Sequence, residues 1–462
     1  EFRRVLFRSE LRAAFNAGKF SGLKGFGPKL TSKIRAAATK EEPEHPRLPL
    51  ASADRIAASL LAYLRECKGV IKAEVAGSLR RRRDTVGDLD LLVAARPGSE
   101  AMAGFLKNED IVSVSASGST RATVFLRSGI QVDLRVVPPG SFGAALHYFT
   151  GSKAHNIEIR RLGRKRGLKI NEYGAYRAGE KVAGKTEEEI FQSVGLPFIE
   201  PELRENRGEI EAAQTDNLPE LVTLAKIRGD LHAHTNATDG RLSLDEMAAA
   251  ATVLGYEYLA ITDHSRHLTV AHGLTAARLR GQIRQIDRFN SRSPKFRLLK
   301  AIEADILEDG SLDLPNDVLR ELDLTVCAIH SHFDLPEAKQ TERILRAMDN
   351  PYFRILAHPT GRLFGTRPAS KLDLERVLRG ARERNCFVEL NAQPDRMDLN
   401  DAYCRLARDL QVKVAISTDA HSDLDLHNMR YGVDQARRGW LEAVDVLNTL
   451  PLTALEKTLK RR

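Results

Sequence analysis

The strongest constraint on the fold is a pattern that recurs between residues 229 and 421, in which a short apolar run ends in a histidine, an aspartate or a glutamate. In the first run, His232 and His234 lie one residue apart and therefore point the same way from a strand. The later runs end in Asp263-His264, Glu303, His330, His358 and Asp419-Ala420-His421. One such histidine is most often a hydrogen-bonded core residue, but six strand ends with ligand-type residues indicate a metal site.

Length and composition set the class of protein. The chain has 462 residues, which corresponds to roughly three domains of about 150 residues each. No apolar run reaches the roughly 18 residues that a membrane span needs, so we expect no membrane partner. The four cysteines show no paired spacing, which predicts a reduced, cytoplasmic chain. Any metal would then be held by nitrogen and oxygen ligands, which favours Mn, Zn, Fe or Mg over a thiolate zinc site.

The net charge of +9 is distributed unevenly along the chain. Residues 1–186 carry +16, residues 187–224 carry −8 and residues 225–462 carry +1. A soluble protein with a basic face would account for this distribution. Beside a hydrolase-like metal cluster, however, a cationic front half favours a polyanionic substrate.

Seven strand-like runs alternate with helix-like patterns between residues 226 and 462, as in a parallel α/β arrangement. The remaining run is Cys386 to Asn391. Ser243 and Glu246 predict a capping box at the start of the first helix. Because α/β barrels build their sites at the carboxyl ends of the strands, the ligand-type residues occupy the expected place.

This arrangement closely resembles the PHP domain, named for polymerase and histidinol phosphatase, which is a distorted (β/α)7 barrel. The resemblance implies that nine residues hold three metal ions, Mn2+ or Zn2+, which serve the hydrolysis of phosphoesters. The matching positions are His232, His234, Asp239, His264, Glu303, His330, His358, Asp419 and His421. Asp239 replaces a histidine found in some relatives. Two further sets lie near these motifs: His267, His272, His332 and His427, expected at the surface or behind the ligands, and Arg362, Arg367 and Arg430, either solvated or bound to substrate phosphates.

A second group of acidic residues lies in the front half of the chain. Asp88 and Asp90 alternate with apolar residues, so the two carboxylates share one face of a strand. Asp133 has the same alternation on a later strand, where Val132 and Leu134 face the core. Three carboxylates on adjacent strands repel one another unless cations lie between them. Two Mg2+ ions, which also carry in-line phosphoryl transfer, would meet that need.

A Gly-Ser turn followed by Arg80 to Arg83 precedes this aspartate pair, and the run from Leu146 to Asn156 comes after Asp133. Together these features resemble the nucleotidyltransferase palm and thumb of family X DNA polymerases, with Leu146 to Asn156 as the thumb helix. The resemblance implies that Asp88, Asp90 and Asp133 hold Mg2+ or Mn2+. It also implies nucleotide contacts by Gly77, Ser78, Arg81, Gly87, Tyr148, Phe149 and Asn156. The basic run from Arg160 to Lys169 is a solvated helix face or a template-strand contact, and we favour the contact.

The first forty-five residues carry a weaker signal. Residues 1–9 fit nothing that follows, and we treat them as a cloning scar or a truncated start. In residues 10–45, Gly25, Gly27 and Lys29 resemble part of a helix-hairpin-helix, which grips the phosphates of DNA through backbone N–H groups. An ordinary Gly-Pro turn accounts for the same residues.

The parts together resemble bacterial family X DNA polymerases with a C-terminal PHP domain, here shortened at the amino end. The implied architecture is multidomain α/β, with a partial helix-hairpin-helix (10–45), a palm (46–140), a thumb (141–200), an acidic solvated linker (201–225) and a PHP domain (226–462). The implied activities are gap filling in base excision repair, from dNTPs on gapped or primer-template DNA, and a metal-dependent 3'-5' exonuclease. We expect a bacterial cytoplasmic, nucleoid-associated protein.

Two alternatives remain open at this point. One is a small-molecule phosphoesterase of the histidinol-phosphatase type with a vestigial polymerase domain, and the three front aspartates argue against it. The other is a non-catalytic DNA-binding module with a structural barrel, and the nine intact ligand positions argue against that.

Overall fold

The computed structural model describes residues 47–460. The expected helix-hairpin-helix, with Gly25, Gly27 and Lys29, lies outside the described residues and stays a prediction.

The elements are numbered in chain order. The strands are β1 Leu48–Pro49, β2 Val70–Val75, β3 Thr85–Val86, β4 Asp88–Ala95, β5 Ile111–Ser117, β6 Arg121–Leu126, β7 Gln131–Val137, β8 Lys169–Asn171, β9 Gly174–Arg177, β10 Glu180–Ala183, β11 Gly229–Ala233, β12 Tyr258–Ile261, β13 Arg297–Lys300, β14 Glu303–Asp305, β15 Val326–Ala328, β16 Ile355–Leu356, β17 Phe387–Asn391 and β18 Val414–Ser417. The helices are α1 Leu50–Glu66, α2 Gly77–Arg80, α3 Ala101–Phe105, α4 Phe142–Thr150, α5 Lys153–Lys165, α6 Glu187–Ser193, α7 Glu209–Gln214, α8 Leu244–Val253, α9 Ala276–Arg292, α10 Asn316–Leu319, α11 Glu337–Met348, α12 Leu374–Glu383, α13 Asp401–Asp409, α14 Met429–Arg438 and α15 Leu452–Leu459.

The front half is built on a five-stranded mixed sheet in the order β2-β4-β7-β6-β5. Strands β4 and β7 are parallel neighbours, and Asp90 lies directly opposite Asp133. The alternation read from the sequence is confirmed, because Leu89 and Leu91 are buried in the core that α1 covers. The aspartates are thereby turned to the opposite face of the sheet.

The run expected as one thumb helix forms two helices, α4 and α5, so that expectation is wrong. The break falls at Gly151 and Ser152, where the Ser152 hydroxyl accepts a hydrogen bond from the His155 backbone N–H over 3.2 Å and caps α5. A Cβ on Gly151 would lie 2.8 Å from the His155 ring, so only glycine fits this turn. A serine cap and a close approach thus end one helix and begin the next.

The acidic segment expected as a solvated linker differs from that expectation over residues 201–214. Leu203 and Ile210 lie in the core of the thumb. Arg204 is fully buried, its guanidinium 5.0 Å from the rings of both Phe191 and Phe198, and it donates to Glu187 over 2.5 Å. Paired and stacked charges can be buried, which hydrophobicity alone does not reveal.

The rear half is a parallel barrel. Strands β11-β12-β13 and β14-β15-β16-β17-β18 form two parallel sheets, and the run that holds β13 continues into β14 after two residues. The sheets meet again where the His234 backbone N–H donates to the Ala420 carbonyl over 2.8 Å, beside the last strand. The seven runs read from the sequence are the strands of this barrel. The capping box of Ser243 and Glu246 is also present.

The two halves share their cores. Tyr431 and Met397 of the rear half are buried in the core of the front sheet, and Trp440 is buried in the core of the thumb. Side chains of one half thus pack into the core of the other. The domain boundaries expected near residues 140, 200 and 225 stay predictions.

No helix among residues 47–460 has both the length and the apolar character that crossing a bilayer would require. The four cysteines are free thiols, and three of them are buried.

Phe353 is among the largest fully buried side chains of the barrel core. We expect Phe353→Ala to lower the free energy of unfolding by about 3–5 kcal/mol, because it removes buried apolar surface and leaves a cavity. Urea titration followed by circular dichroism measures this loss. Val270→Ala is the control, since Val270 is 85% exposed and its truncation should change stability by less than about 0.5 kcal/mol. Equal effects of the two substitutions would contradict the packing described.

Candidate active sites

The ligand-type residues of the barrel converge on one mouth at the carboxyl ends of its strands. All nine predicted positions lie there: His232, His234, Asp239, His264, Glu303, His330, His358, Asp419 and His421. The parallel strands produce this convergence, because their carboxyl ends share one rim of the barrel.

Three overlapping groups within this cluster have the spacing of metal sites. The first contains His234, Asp239, His264 and His421, the second His232, His234 and Asp419, and the third His264, Glu303 and His330. In each group the candidate ligand atoms lie within 4.8 Å of one another. His358 completes the set, with Nε2 3.0 Å from a Glu303 oxygen.

The chemistry of the cluster's side chains suits metal ions. His232 Nε2, His234 Nδ1 and Glu303 Oε2 are buried and have no hydrogen-bond partner in the part of the chain that the structure describes. Buried polar atoms without partners are costly, and bound divalent ions would satisfy them. Imidazole nitrogens mixed with carboxylates suit Mn2+, Zn2+ or Fe2+.

The electrostatics of the cluster are dominated by its carboxylates. Burial lowers the pKa of His264, but Glu303 and Asp239 raise it more, and the result is a pKa of about 10. The same balance gives His330 and His421 pKa values of about 9. His234 differs: burial and the neighbouring His264 lower its pKa to about 4. The carboxylates of the cluster therefore stabilise positive charge among the imidazoles, as they would stabilise a bound cation.

Two carboxylates outside the predicted set, those of Glu389 and Asp305, hold the candidate ligands in position. Glu389 accepts from His232 Nδ1 over 2.7 Å with one oxygen and from the His358 backbone N–H over 2.7 Å with the other. Asp305 lies 2.5 Å from His330 Nδ1. Such partners fix the tautomer and the orientation of a metal-binding imidazole. An acid inside an apolar run, as in Phe387–Asn391, was the sequence signal that could have revealed Glu389.

Asp263, which the sequence placed at a strand end but not among the nine candidate ligands, organises the loop that carries Asp239. It is fully buried and accepts hydrogen bonds from the Thr235 backbone, from the Thr235 and Thr238 hydroxyls and from Gln282. These four contacts fix the loop beside His234, so Asp239 is delivered to the cluster by a rigid turn.

The three candidate phosphate-binding arginines are occupied elsewhere. Arg362 pairs with Asp84 over 3.1 Å, Arg367 lies over the Phe333 ring, and Arg430 donates to the Tyr431 hydroxyl. Arg396, which was not predicted, lies nearer the cluster, with Nε 3.6 Å from an Asp419 oxygen. The four histidines expected outside the ligand set, His267, His272, His332 and His427, are exposed.

The front aspartates lie on one face of neighbouring strands but are less tightly drawn together. Within residues 47–460 their oxygens do not form a group as compact as those of the barrel. Asp133 accepts from the Thr123 hydroxyl over 2.5 Å and from the Gln131 amide over 2.7 Å. Burial, then the charges of Asp88 and Asp133, raise the pKa of Asp90 to about 7. A bound cation would offset the repulsion between these carboxylates and lower the pKa of Asp90 again.

The Gly77-Ser78 turn lies against the aspartates. A Cβ on Gly77 would lie 1.9 Å from an Asp90 oxygen, and Gly77 has φ +59°, so glycine is required twice over. The Ser78 hydroxyl is buried and has no hydrogen-bond partner within residues 47–460, so it is available to a ligand there. Gly87 directly precedes Asp88, and a Cβ on Gly87 would lie 3.0 Å from the Arg47 guanidinium.

Tyr148 and Phe149 end helix α4, with their rings edge to face at 5.2 Å. The Asn156 amide donates to the carbonyls of Tyr148 and Gly151 over 2.7 and 3.1 Å and so holds the turn between α4 and α5. Arg135 lies over the Phe149 ring at 4.9 Å. The structure thus places these residues in one neighbourhood, at the junction of palm sheet and thumb.

Arg81 is held rather than free. Its Nε donates to Glu205 over 2.9 Å, and its Nη1 donates to the Thr150 carbonyl over 2.8 Å. Its neighbours take other partners, Arg80 with Glu187 and Arg82 with Asp54 and Asp434.

Comparison with known proteins gives one family and several relatives. A family model described as DNA polymerase beta thumb matches residues 145–205. The DNA polymerase/3'-5' exonuclease PolX of Bacillus subtilis is 42% identical over 455 residues, which are 98% of this chain and 80% of that protein. A probable phosphatase of Thermoanaerobacter sp. is 28% identical over 232 residues, 48% of this chain and 89% of the relative.

A solved structure of Leishmania infantum polymerase beta in a ternary complex aligns with 44% of this chain and 89% of that chain. Its sequence identity is 18% and its TM-score is 0.32.

Glu389→Gln should weaken metal binding at the barrel about 10- to 100-fold, because the amide keeps the shape but loses the charge that orients His232. Isothermal titration with MnCl2 measures the affinity. Glu383→Gln is the matched control, since that carboxylate is 72% exposed on α12 and should not alter it. Unchanged affinity of Glu389→Gln would show that Glu389 does not act on the ligands.

Metal binding should release protons at neutral pH. His264, His330 and His421 have pKa values of about 9 to 10 in the metal-free cluster, so they carry protons at pH 7 that a metal must displace. Because protons compete with the metal, the apparent affinity should rise as the pH rises from 7 towards about 9.

Titration with MnCl2 in two buffers of different ionisation enthalpy counts the released protons. Equal heats in both buffers would contradict this prediction. His272→Ala, which removes an exposed histidine outside the cluster, should leave the count unchanged.

Proposed function

This chain belongs to the bacterial DNA polymerase/3'-5' exonuclease PolX family, and we propose that it adds nucleotides to DNA at the front site and hydrolyses DNA 3' ends at the barrel site. The observation that carries the proposal is the presence of two separate acidic centres in one chain. One is the nine-residue cluster at the barrel mouth, and the other is Asp90 opposite Asp133 on the palm sheet.

At the front site, Asp88, Asp90 and Asp133 would hold Mg2+ or Mn2+. The raised pKa of Asp90, caused by burial and by its two acidic neighbours, supports cation binding there. When bound, such ions neutralise the charge that develops on phosphoryl oxygens and orient the reacting groups. The aspartates would thus fix the position of the transferred phosphoryl group.

The incoming dNTP would lie between the Gly77-Ser78 turn and the thumb. Ser78, whose buried hydroxyl has no hydrogen-bond partner among the described residues, would donate to a phosphate oxygen, and Arg81 would pair with the triphosphate. Tyr148 and Phe149 would pack against the sugar, while Asn156 keeps their turn in place. Gly77 and Gly87 permit the close approach that this arrangement needs.

At the barrel, the nine ligands would hold three ions, Mn2+ or Zn2+. The buried unpartnered atoms of His232, His234 and Glu303 support this ligand set. Glu389 and Asp305 would keep the imidazoles oriented, and Arg396 lies where it could donate to a phosphate oxygen at the mouth. The burial of the cluster keeps its charges in a low dielectric, where they act strongly on a bound phosphodiester.

DNA would reach the thumb along a basic groove. Arg160, Arg164 and Lys169 line a cavity of about 540 Å³ between α5 and β8, with Ile157, Leu168 and Ile170 as its apolar lining. Cations around an apolar floor suit a nucleic acid backbone. We propose gapped or primer-template DNA as the substrate, gap filling in base excision repair as the setting, and nucleoid association as its consequence.

The probable-phosphatase relatives give a reason to test a second function, the hydrolysis of small phosphate monoesters at the barrel. Turnover of such monoesters without salt-sensitive DNA binding would favour it over the polymerase and exonuclease.

The two activities should be separable by mutation. Asp88→Ala should abolish nucleotide addition and leave 3'-5' hydrolysis, because it removes a front carboxylate only. His232→Ala should do the reverse, since His232 belongs to the barrel cluster. Labelled gapped DNA with Mn2+, with and without dNTPs, reports extension and shortening of the primer in one assay.

Loss of both activities from either substitution, in a protein with an unchanged circular dichroism spectrum, would contradict the two-site proposal. Glu383→Gln, at an exposed carboxylate, should retain both activities and serves as the control.

A further inference from the structure

The palm turn that carries Arg81 is held by a helix of the barrel half. Arg438, at the end of α14, donates from Nη1 to the Arg81 carbonyl over 2.6 Å. One turn earlier, the Gln435 amide donates to the Arg82 carbonyl over 2.8 Å. Arg438 is 4% exposed, so these contacts are shielded from water. The backbone of the turn is therefore fixed by residues more than 350 positions away in the chain.

The Arg81 side chain is held in a way that leaves one end open. Nε donates to Glu205 and Nη1 to the Thr150 carbonyl, while Nη2 has no hydrogen bond among the described residues. The turn that carries Arg81 lies against Asp90: a Cβ on Gly77 would meet an Asp90 oxygen at 1.9 Å, and the Arg81 backbone N–H donates to the Gly77 carbonyl over 3.2 Å. A guanidinium held at two nitrogens presents the third in a defined direction.

Arg438 also contacts Glu205, the residue that accepts a hydrogen bond from the Arg81 side chain. Its two Nη atoms lie 3.2 and 3.3 Å from the Glu205 oxygen that accepts from Arg81, and Nη2 donates to Asp401 over 2.6 Å. Arg207 pairs with Asp401 over 2.9 Å. The result is a chain of alternating charges that runs from the palm through the end of the thumb into the barrel half. Arg81 and Arg438 are buried, and the side chains of Glu205 and Asp401 are only 11% and 19% exposed, so these four groups hold one another with little access to water.

We propose that Arg438 is a positioning residue for nucleotide addition: it fixes Glu205 and the palm turn so that Arg81 presents Nη2 to the triphosphate of the incoming nucleotide. This inference rests on the proposed contact between Arg81 and the triphosphate. It gives the barrel half a part in the polymerase reaction that does not depend on its own metal cluster.

The test is single-nucleotide addition by the full chain on gapped DNA, with KM for the dNTP and kcat measured separately. Arg438→Ala should raise KM about tenfold and change kcat less than about twofold, because binding loses a preoriented contact. Glu205→Gln should act in the same direction. Arg438→Lys should restore only part of the affinity, since lysine cannot reproduce the fork of contacts.

Arg437→Ala is the matched control. Arg437 is on the same helix and pairs with Glu202 over 2.7 Å, but it makes no contact with Arg81 among its hydrogen bonds and ion pairs in residues 47–460. It should leave KM unchanged. A similar rise in KM for Arg437→Ala and Arg438→Ala would mean that loosening the interface matters, not the positioning of Arg81, and would overturn the proposal.

A double-variant cycle distinguishes an effect of Arg438 through Arg81 from a general loosening of the interface. If Arg438 acts through Arg81, adding Arg438→Ala to Arg81→Ala should cause no further rise in KM, whereas additive effects would overturn the proposal. If Arg81→Ala itself leaves KM unchanged, the proposed triphosphate contact is wrong and this inference falls with it. If Arg81→Ala raises KM but neither Arg438→Ala nor Glu205→Gln does, only the present inference is wrong. Should Arg438→Ala not fold, Glu205→Gln and Arg438→Lys carry the same comparison.

Discussion

The rear half depends on one buried carboxylate. Glu303 is 1% exposed, and its oxygens lie within 3.6 Å of nitrogens from His232, His234, His264, His330 and His358. Burial raises the pKa of Glu303, but these imidazoles lower it well below its ordinary value, so the group is charged. A buried negative charge needs positive partners at fixed positions. That requirement brings separate strand ends to one point and makes a metal cluster the natural use of the barrel mouth.

A second constraint joins the halves. The four arginines from Arg80 to Arg83 read in the sequence as one basic turn, but the first three pair with different parts of the molecule. Arg80 and Arg81 pair with Glu187 and Glu205 of the thumb, and Arg82 pairs with Asp54 of the palm and Asp434 of the barrel half. Each pair is largely shielded from water, where ion pairs are less screened than at the surface. The turn that lies against Asp90 is therefore bound by the palm, the thumb and the barrel half, and all three determine its position.

Much of the fold could be predicted from local pattern. The alternation of Asp90 with Leu89 and Leu91 gave the face of the strand, because the pleat repeats every two residues. Apolar runs that end in ligands placed Glu303 and His358 at one rim, because parallel strands share their direction. Pattern could not show the break at Gly151, which depends on the close packing of His155, nor the burial of Arg204, which depends on two aromatic rings.

The residues that sequence reasoning missed share a physical property: their roles depend on partners far away in the chain. Glu389 is separated from His232 by 157 positions, and Arg438 from the Arg81 carbonyl by 357. Neither spacing leaves a local trace, since charge and hydropathy patterns report only the face a residue occupies. The candidate ligands could be recognised in the sequence because most of them lie at the end of an apolar run. The carboxylates that orient these candidate ligands can be recognised only in the folded chain, where the strands lie side by side. The sequence therefore predicts which residues form the site, whereas the contacts that hold them in place follow from the fold.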